Sequence, residues 1–377
     1  MLIRPIMLVL SLLMLSVDAI AANLPLKALP NDKDRNHWLP EQVNKPGELE
    51  ALRQLMAQPA VKYRGEQDKP IQIALIYPSA DRSDFWSRNY LALTKRLDDM
   101  GILYQTTEFT SREAENELQS AYAKRVIEDA DFYDYVIFGP DELVSQSENI
   151  QNLAQTETFS TYIWTSHTPL KNLEKQPALW FDFSSAYGAN KICNYVLERL
   201  GNDVNYAMIR GIWGVVDSQR SGDFKQCVNS RGDWVTAFEH YGNFERNGGY
   251  LGANRVKSYN EITMIHIANT DMAMGVVESL ELQGKLDEIF LTGWGGTSME
   301  LELIRRSRLN ATPMRMIDDV GAATAEAIRA DLEGRQDQLP MVFLGRITVA
   351  HDQMSNAELD ELQKEAFRFS GSENMLR

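Results

Sequence analysis

From Ile71 onward the chain alternates short apolar runs with longer stretches whose apolar residues recur at helical spacing. Ile71 to Tyr77 is strand-like. In Asp84 to Met100 the apolar residues fall at Trp86, Tyr90, Leu93, Leu97 and Met100, steps of four, three, four and three that mark one face of a helix. Ile102 to Thr107 reads as the next strand, and Thr110-Ser111-Arg112-Glu113 reads as a capping box opening another helix. Asp134 to Gly139 and Thr161 to Thr165 continue the strands. The pattern then restarts: Leu179 to Phe183 is extended, Ser185 to Leu200 helical, and Asn205 to Ile209 a strand. Ile262 to Ile267 and Ile289 to Thr292 each precede a helix, and Met314 to Ile317, the helix Ala322 to Leu332 and the strand Met341 to Ala350 supply the last elements. Such βαβ repetition predicts parallel sheets. The fold expected is α/β, with two Rossmann-like lobes joined by a multi-strand hinge. Periodicity does not place that hinge, because strands that cross between lobes look like any others.

Ahead of this lies a polar arm, 23–68, with five prolines and one helical stretch, Gly47 to Met56. It holds too few apolar residues for a core of its own, so it is either mobile or wraps the outside of a lobe. Met1 to Ala22 has Arg4, an apolar run from Ile6 to Val17 and the small-residue end Ala19-Ile20-Ala21-Ala22. That is the layout of a cleaved export signal. The run has twelve residues, short of the ~20 that span a bilayer. Export to the periplasm is the expectation. What remains after the leader is longer than the roughly 250 to 300 residues at which a single core stops growing, which again favours two lobes. The net charge of −15 repels phosphate backbones and argues against a nucleic-acid partner. Oxidising surroundings permit Cys193 and Cys227 to form a disulfide, and two buried thiols are the alternative.

Candidate chemistry sits where strands end. Asn269-Thr270-Asp271 and Gly293-Trp294-Gly295-Gly296 each follow an apolar run, and open α/β sheets bind ligands beyond the carboxyl ends of their strands. In the loop Ser79 to Trp86, Ser83 is either a helix cap or a cleft hydroxyl, and Trp86 either core or cleft wall. Arg315 lies between two methionines on an apolar side. Its partner is a carboxylate such as Asp318 or Asp319, or a bound ligand, because an unpaired buried guanidinium is very costly. Arg220 is a loop cation or the second of two arginines converging on a hydroxyl-rich or anionic ligand. Asp271 would accept from hydroxyls, and Trp294 offers a flat face to a small ring. The five histidines, His37, His167, His240, His266 and His351, show no metal-ligand spacing, and no cofactor is called for.

Together with Met314-Arg315-Met316 and the ending Ala366-Phe367-Arg368, these stretches resemble the LuxP-type autoinducer-2-binding periplasmic proteins. Those lie within the type I sugar-binding family related to ribose-binding proteins. The likeness runs from about Ile71 to the end, and it implies an N-terminal lobe of 69–170 and 316–340 and a C-terminal lobe of 171–315 and 341–377. It implies a furanosyl borate diester held between two lobes joined by three crossings, with occupancy reported to the periplasmic domain of a membrane sensor histidine kinase in quorum sensing. It implies ligand contacts from Asp81, Ser83, Trp86 and Thr165 in the first lobe. Arg220, Thr270, Asp271 and Trp294 would face them, with Arg315 near the hinge and both arginines offsetting the borate. Asp81 and Thr165 depart from the family, which has glutamine and asparagine there. A carboxylate about 4 Å from a borate at an effective dielectric near 20 costs roughly 4 kcal/mol, some three orders of magnitude in affinity. Unless Asp81 turns away, protonates or pairs with Arg82 or Arg220, a neutral sugar-like ligand fits better. Two other functions fit the residues: delivery of a sugar to an uptake permease, and glycoside cleavage by Asp81, Asp84 and Asp271. The second is disfavoured because the convergent groups are mostly donors and show no catalytic spacing.

Overall fold

The computed structural model describes residues 40–78, 84–112, 115–140, 144–164, 170–259 and 261–371. The leader, Asp81, Ser83, Thr165 and His167 lie outside the described residues. In chain order the elements are α1 (Pro40–Val43), α2 (Glu48–Ala57), β1 (Ile71–Pro78), α3 (Phe85–Met100), β2 (Tyr104–Ser111), α4 (Asn116–Glu128), β3 (Tyr135–Phe138), α5 (Val144–Gln155), β4 (Ser160–Trp164) and β5 (Leu179–Asp182). Next come α6 (Ser185–Leu200), β6 (Asp203–Arg210), α7 (Val215–Asp217), a π-helical turn (Ser218–Gly222), α8 (Asp223–Arg231), β7 (Asp233–Tyr241), α9 (Arg246–Asn254) and β8 (Met264–Ile267). The chain ends with α10 (Thr270–Gln283), β9 (Phe290–Thr292), α11 (Ser298–Arg305), β10 (Ala311–Arg315), α12 (Asp318–Leu332), β11 (Val342–Leu344), β12 (Ile347–His351) and α13 (Asn356–Ala366).

Two six-stranded sheets result, ordered β11-β5-β4-β3-β1-β2 and β12-β10-β9-β8-β6-β7. Every pairing is parallel except β10 with β12. The central strand Tyr135–Phe138 reads as an unbroken apolar run, because helices cover both faces of a parallel sheet. The predicted α/β architecture is present.

Its boundaries differ from those expected. β5 pairs with β4, so 179–182 belongs to the first sheet although the pattern placed it in the second lobe. β11 pairs with β5, so 342–344 also joins the first sheet. The run Met341 to Ala350 is therefore not one strand: it breaks at Gly345-Arg346, and its halves serve different sheets. Crossings between lobes fall at 183–184, 316–317 and 345–346. The helix after β2 does not open at the expected capping box, whose Glu113 lies outside the described residues. Thr110 and Ser111 finish β2, and α4 opens at Asn116. The cap position of α3 is Asp84 rather than Ser83.

The arm wraps the first lobe from α1 onward. Leu52 and Met56 enter its core, and the Asn44 amide pairs with both backbone groups of Val342, donating to the carbonyl at 2.7 Å and accepting from the N–H at 2.9 Å. Arg53 donates to the Leu344 carbonyl at 2.7 Å. Side chains of the arm thus close the free edge of β11, an edge that would otherwise template pairing with another chain.

A chain of buried ions ties the hinge together. After α13 the backbone returns to the first lobe, where Asp318 accepts from the N–H groups of Phe369 and Ser370 at 2.6 and 2.7 Å. Asp319 accepts from Arg346 and from Arg368. Both carboxylates nearest to Arg315 in sequence are thereby engaged elsewhere. Cys193 and Cys227 form a disulfide joining α6 to α8, which resolves the two readings of the thiols. No helix among the described residues is long and apolar enough to cross a membrane.

Candidate functional site

The carboxyl ends of the two sheets meet. Arg315, the last residue of β10 in the second sheet, lays its guanidinium 3.9 Å over the ring of Phe85, which opens α3 in the first lobe. Phe183, on the first crossing, lies 5.9 Å from the same cation and touches Phe85 edge to face at 6.0 Å. An aromatic face attracts a cation through its quadrupole, so this wall offsets part of the cost of enclosing Arg315. Burial first, and then repulsion from Arg220, push the Arg315 guanidinium down to about 9, while Glu300, Asp84 and Asp182 act the other way.

The turn Gly293–Gly296 is built for this contact. Gly295 has φ 128°, and a Cβ there would lie 2.8 Å from Arg315 Nη2. The buried Glu300 fixes the turn by accepting from the N–H of Trp294 at 2.9 Å, the N–H of Gly296 at 2.6 Å and the Thr312 hydroxyl at 2.9 Å. Burial raises its carboxyl above the usual range and these hydrogen bonds oppose the rise. Trp294 is held buried as a result, and Arg220 stands 5.4 Å from its ring.

Arg220 projects from the π-helical turn, a geometry often found at functional sites. It donates to the Ala268 carbonyl at 3.1 Å and to Ser185 Oγ at 3.4 Å, and its cation lies 5.7 Å from the Phe244 ring. Thr270 and Asp271 are buried in the first turn of α10. Asn269 caps that helix, accepting from Met272 N at 3.0 Å. Thr270 Oγ1 lies 3.1 Å from Thr297 Oγ1. Trp86 is buried against Phe85, with ring centroids 5.0 Å apart, and stacks on Tyr77.

The second lobe therefore brings Arg220, Thr270, Asp271, Trp294 and Arg315 to one strand-end surface, and Trp86 reaches it through Phe85. Several contributors carry no mark in the sequence that separates them from core: Phe85, Phe183 and Phe244 are aromatics at strand or helix ends. Ser298 donates to Asp84, whose carboxylate also accepts from Arg88 Nε at 2.6 Å. Asp84 is thus a buried bridge between lobes. Among the described residues no cluster of His, Cys, Asp or Glu could hold a metal.

No family model matches the chain. It is 24% identical over 147 residues to the ribose import binding protein of Salmonella typhimurium, covering 38% of this chain and 49% of that protein. The chain thus spans about half the length of the curated relatives it matches. A periplasmic solute-binding protein of Actinobacillus succinogenes with bound D-allose superposes with a TM-score of 0.65 at 17% identity, over 76% of this chain and 98% of that one. The fold is that of the type I periplasmic sugar-binding proteins. The fructose-binding periplasmic domain of the hybrid two-component system BT1754 shares this type I fold too, with a TM-score of 0.65 at 16% identity over 78% and 94% of the two chains.

Proposed function

We propose that this chain is a periplasmic receptor. It would trap a small, hydroxyl-rich furanose of the autoinducer-2 class between its lobes and report occupancy to the periplasmic domain of a membrane sensor histidine kinase. The observation that carries the reading is the convergence of Arg220 and Arg315, far apart in sequence, around Trp294 and Gly295. Guanidinium forks orient ring hydroxyls or a borate, and the indole covers an apolar ring face. Asp84, Asp182 and Glu300 lie close enough to favour the Arg315 cation. They offset part of the positive charge, so the site suits a neutral sugar as well as a borate diester. Ligand binding would stabilise the lobe arrangement that the partner recognises.

Delivery of a sugar to a permease is the second reading, favoured by the ribose import relative and the allose-bound neighbour. The two-component neighbour supports the sensor reading. Glycoside cleavage is disfavoured, because Asp84 is held by Arg88 and Ser298.

The test is to denature purified protein, identify the released molecule by mass spectrometry, and rebind it with and without boric acid. Arg220→Ala and Arg315→Ala should each weaken binding by about 1.5 to 3 kcal/mol, the loss of charge-assisted hydrogen bonds. Unchanged affinity in both variants refutes the ligand contacts. Capture of the ligand-free protein by a sensor's periplasmic domain, with none by a permease, separates the two partners.

A further inference from the structure

β8 grips Arg220 from two directions. The Ala268 carbonyl, just past the strand, takes the side chain, and His266 within the strand takes the backbone: its Nε2 lies 3.2 Å from the Arg220 carbonyl oxygen. The other ring nitrogen, Nδ1, lies 2.9 Å from Thr292 Oγ1 on β9. A carbonyl only accepts, so Nε2 carries the proton and Nδ1 accepts from the threonine hydroxyl. The imidazole is completely buried and stacked on Phe224, with ring centroids 4.0 Å apart and planes 5° from parallel. Phe224 belongs to α8, directly after the π turn. The turn's own flank is clasped by Asp217, which accepts from Arg210, from Gly211 N at 2.9 Å and from Ser221 Oγ at 3.0 Å. Asp217 thus braces one side of the turn, and the His266 donor reaches the Arg220 carbonyl from the other.

We infer that His266 is a positioning residue for ligand recognition: the chain Thr292 hydroxyl, His266 imidazole, Arg220 carbonyl sets where the Arg220 guanidinium stands against Trp294. The inference rests on the reading of Arg220 as a ligand contact. Burial keeps the imidazole neutral, pushing it down to about 3, so the single Nε2 proton persists across the physiological range.

The test uses full-length protein labelled with 5-fluorotryptophan, the Trp294 resonance being assigned by its loss in Trp294→Phe. His266→Phe keeps the stack on Phe224 and removes the donor, whereas His266→Gln returns an amide donor. Thr292→Val keeps volume and releases the tautomer, so it serves if His266→Phe does not fold. The Trp294 signal should move in His266→Phe and Thr292→Val in the direction it moves in Arg220→Ala, and stay at its wild-type position in His266→Gln. A signal unmoved in both donor-loss variants overturns the inference, and so does His266→Gln shifting as far as His266→Phe. D-Ribose, with and without boric acid, is titrated in parallel. Arg220→Ala should lose roughly 12- to 160-fold in affinity, the effect of removing charge-assisted hydrogen bonding. No loss there counts against the ligand reading alone, and the spectral result stands apart from it.

Discussion

Ser298→Ala should loosen the closed arrangement of the lobes. Ser298 begins α11 in the second lobe and donates to Asp84, the cap position of α3 in the first. Both residues are buried, and Asp84 is fully enclosed. A hydrogen bond to a charged acceptor is worth about 1.5 to 3 kcal/mol. The lower half of that range applies here, because Arg88 stays on Asp84 after the substitution and the carboxylate is not orphaned. A loss of about 1.5 to 2 kcal/mol moves the open-to-closed ratio roughly 12- to 30-fold. Alanine is well tolerated in the first helical turn, so the fold itself should be spared. If only the closed form holds ligand, the apparent Kd rises as the closed fraction falls. Calorimetry reads the Kd, and pulsed electron spin resonance between one label per lobe reads the distance distribution. An unchanged Kd together with an unchanged distribution would show that the Asp84 bridge contributes nothing to closure.

Replacing both Cys193 and Cys227 by alanine should cost about 3 to 4 kcal/mol in urea unfolding, from the loop-closure entropy of a 34-residue separation; a loss under about 1 kcal/mol refutes that account. His266 should make stability fall in acid. Its folded-state pKa is held near 3 while the unfolded chain takes up the proton below about 6.5. Stability is complete above 6.5 and declines through the window by up to about 1.4 kcal/mol per pH unit, and His266→Gln should flatten that slope. Overlapping slopes would sink the assignment. Asn44→Ala strips two hydrogen bonds from the edge of β11 and should cost about 1 to 3 kcal/mol, with faster amide exchange at Val342 and earlier proteolysis of the arm. Unaltered exchange there would mean that another group closes the edge.

Periodicity made most elements legible, since a buried helix face and a buried strand each leave their own spacing. Ser185 to Leu200 coincides with α6 at both ends. Sheet membership was not legible: Leu179–Asp182 and Val342–Leu344 are apolar runs like any other, and only pairing reveals that both extend the first sheet. Polar groups after strands singled out Thr270, Trp294 and Arg315, and the fold does set all three at or just past a strand end. The aromatic wall under Arg315 was hidden for the opposite reason: Phe85 and Phe183 look like core until the second lobe is placed against them.

Arg315 shows most clearly how sequence proximity misleads. Asp318 and Asp319 follow within four residues, yet they open α12 and turn toward the C-terminal tail, Arg346 and Arg368. The groups that favour the Arg315 cation are Glu300, Asp84 and Asp182, drawn from three other segments. Among the described residues its side chain makes one hydrogen bond, a long one of 3.4 Å to the Gly295 carbonyl. A guanidinium carries five donors, so most of the fork makes no hydrogen bond among the described residues. That is the ground on which we propose recognition at Arg315: its charge is compensated from a distance, while most of its donors make no hydrogen bond among the described residues.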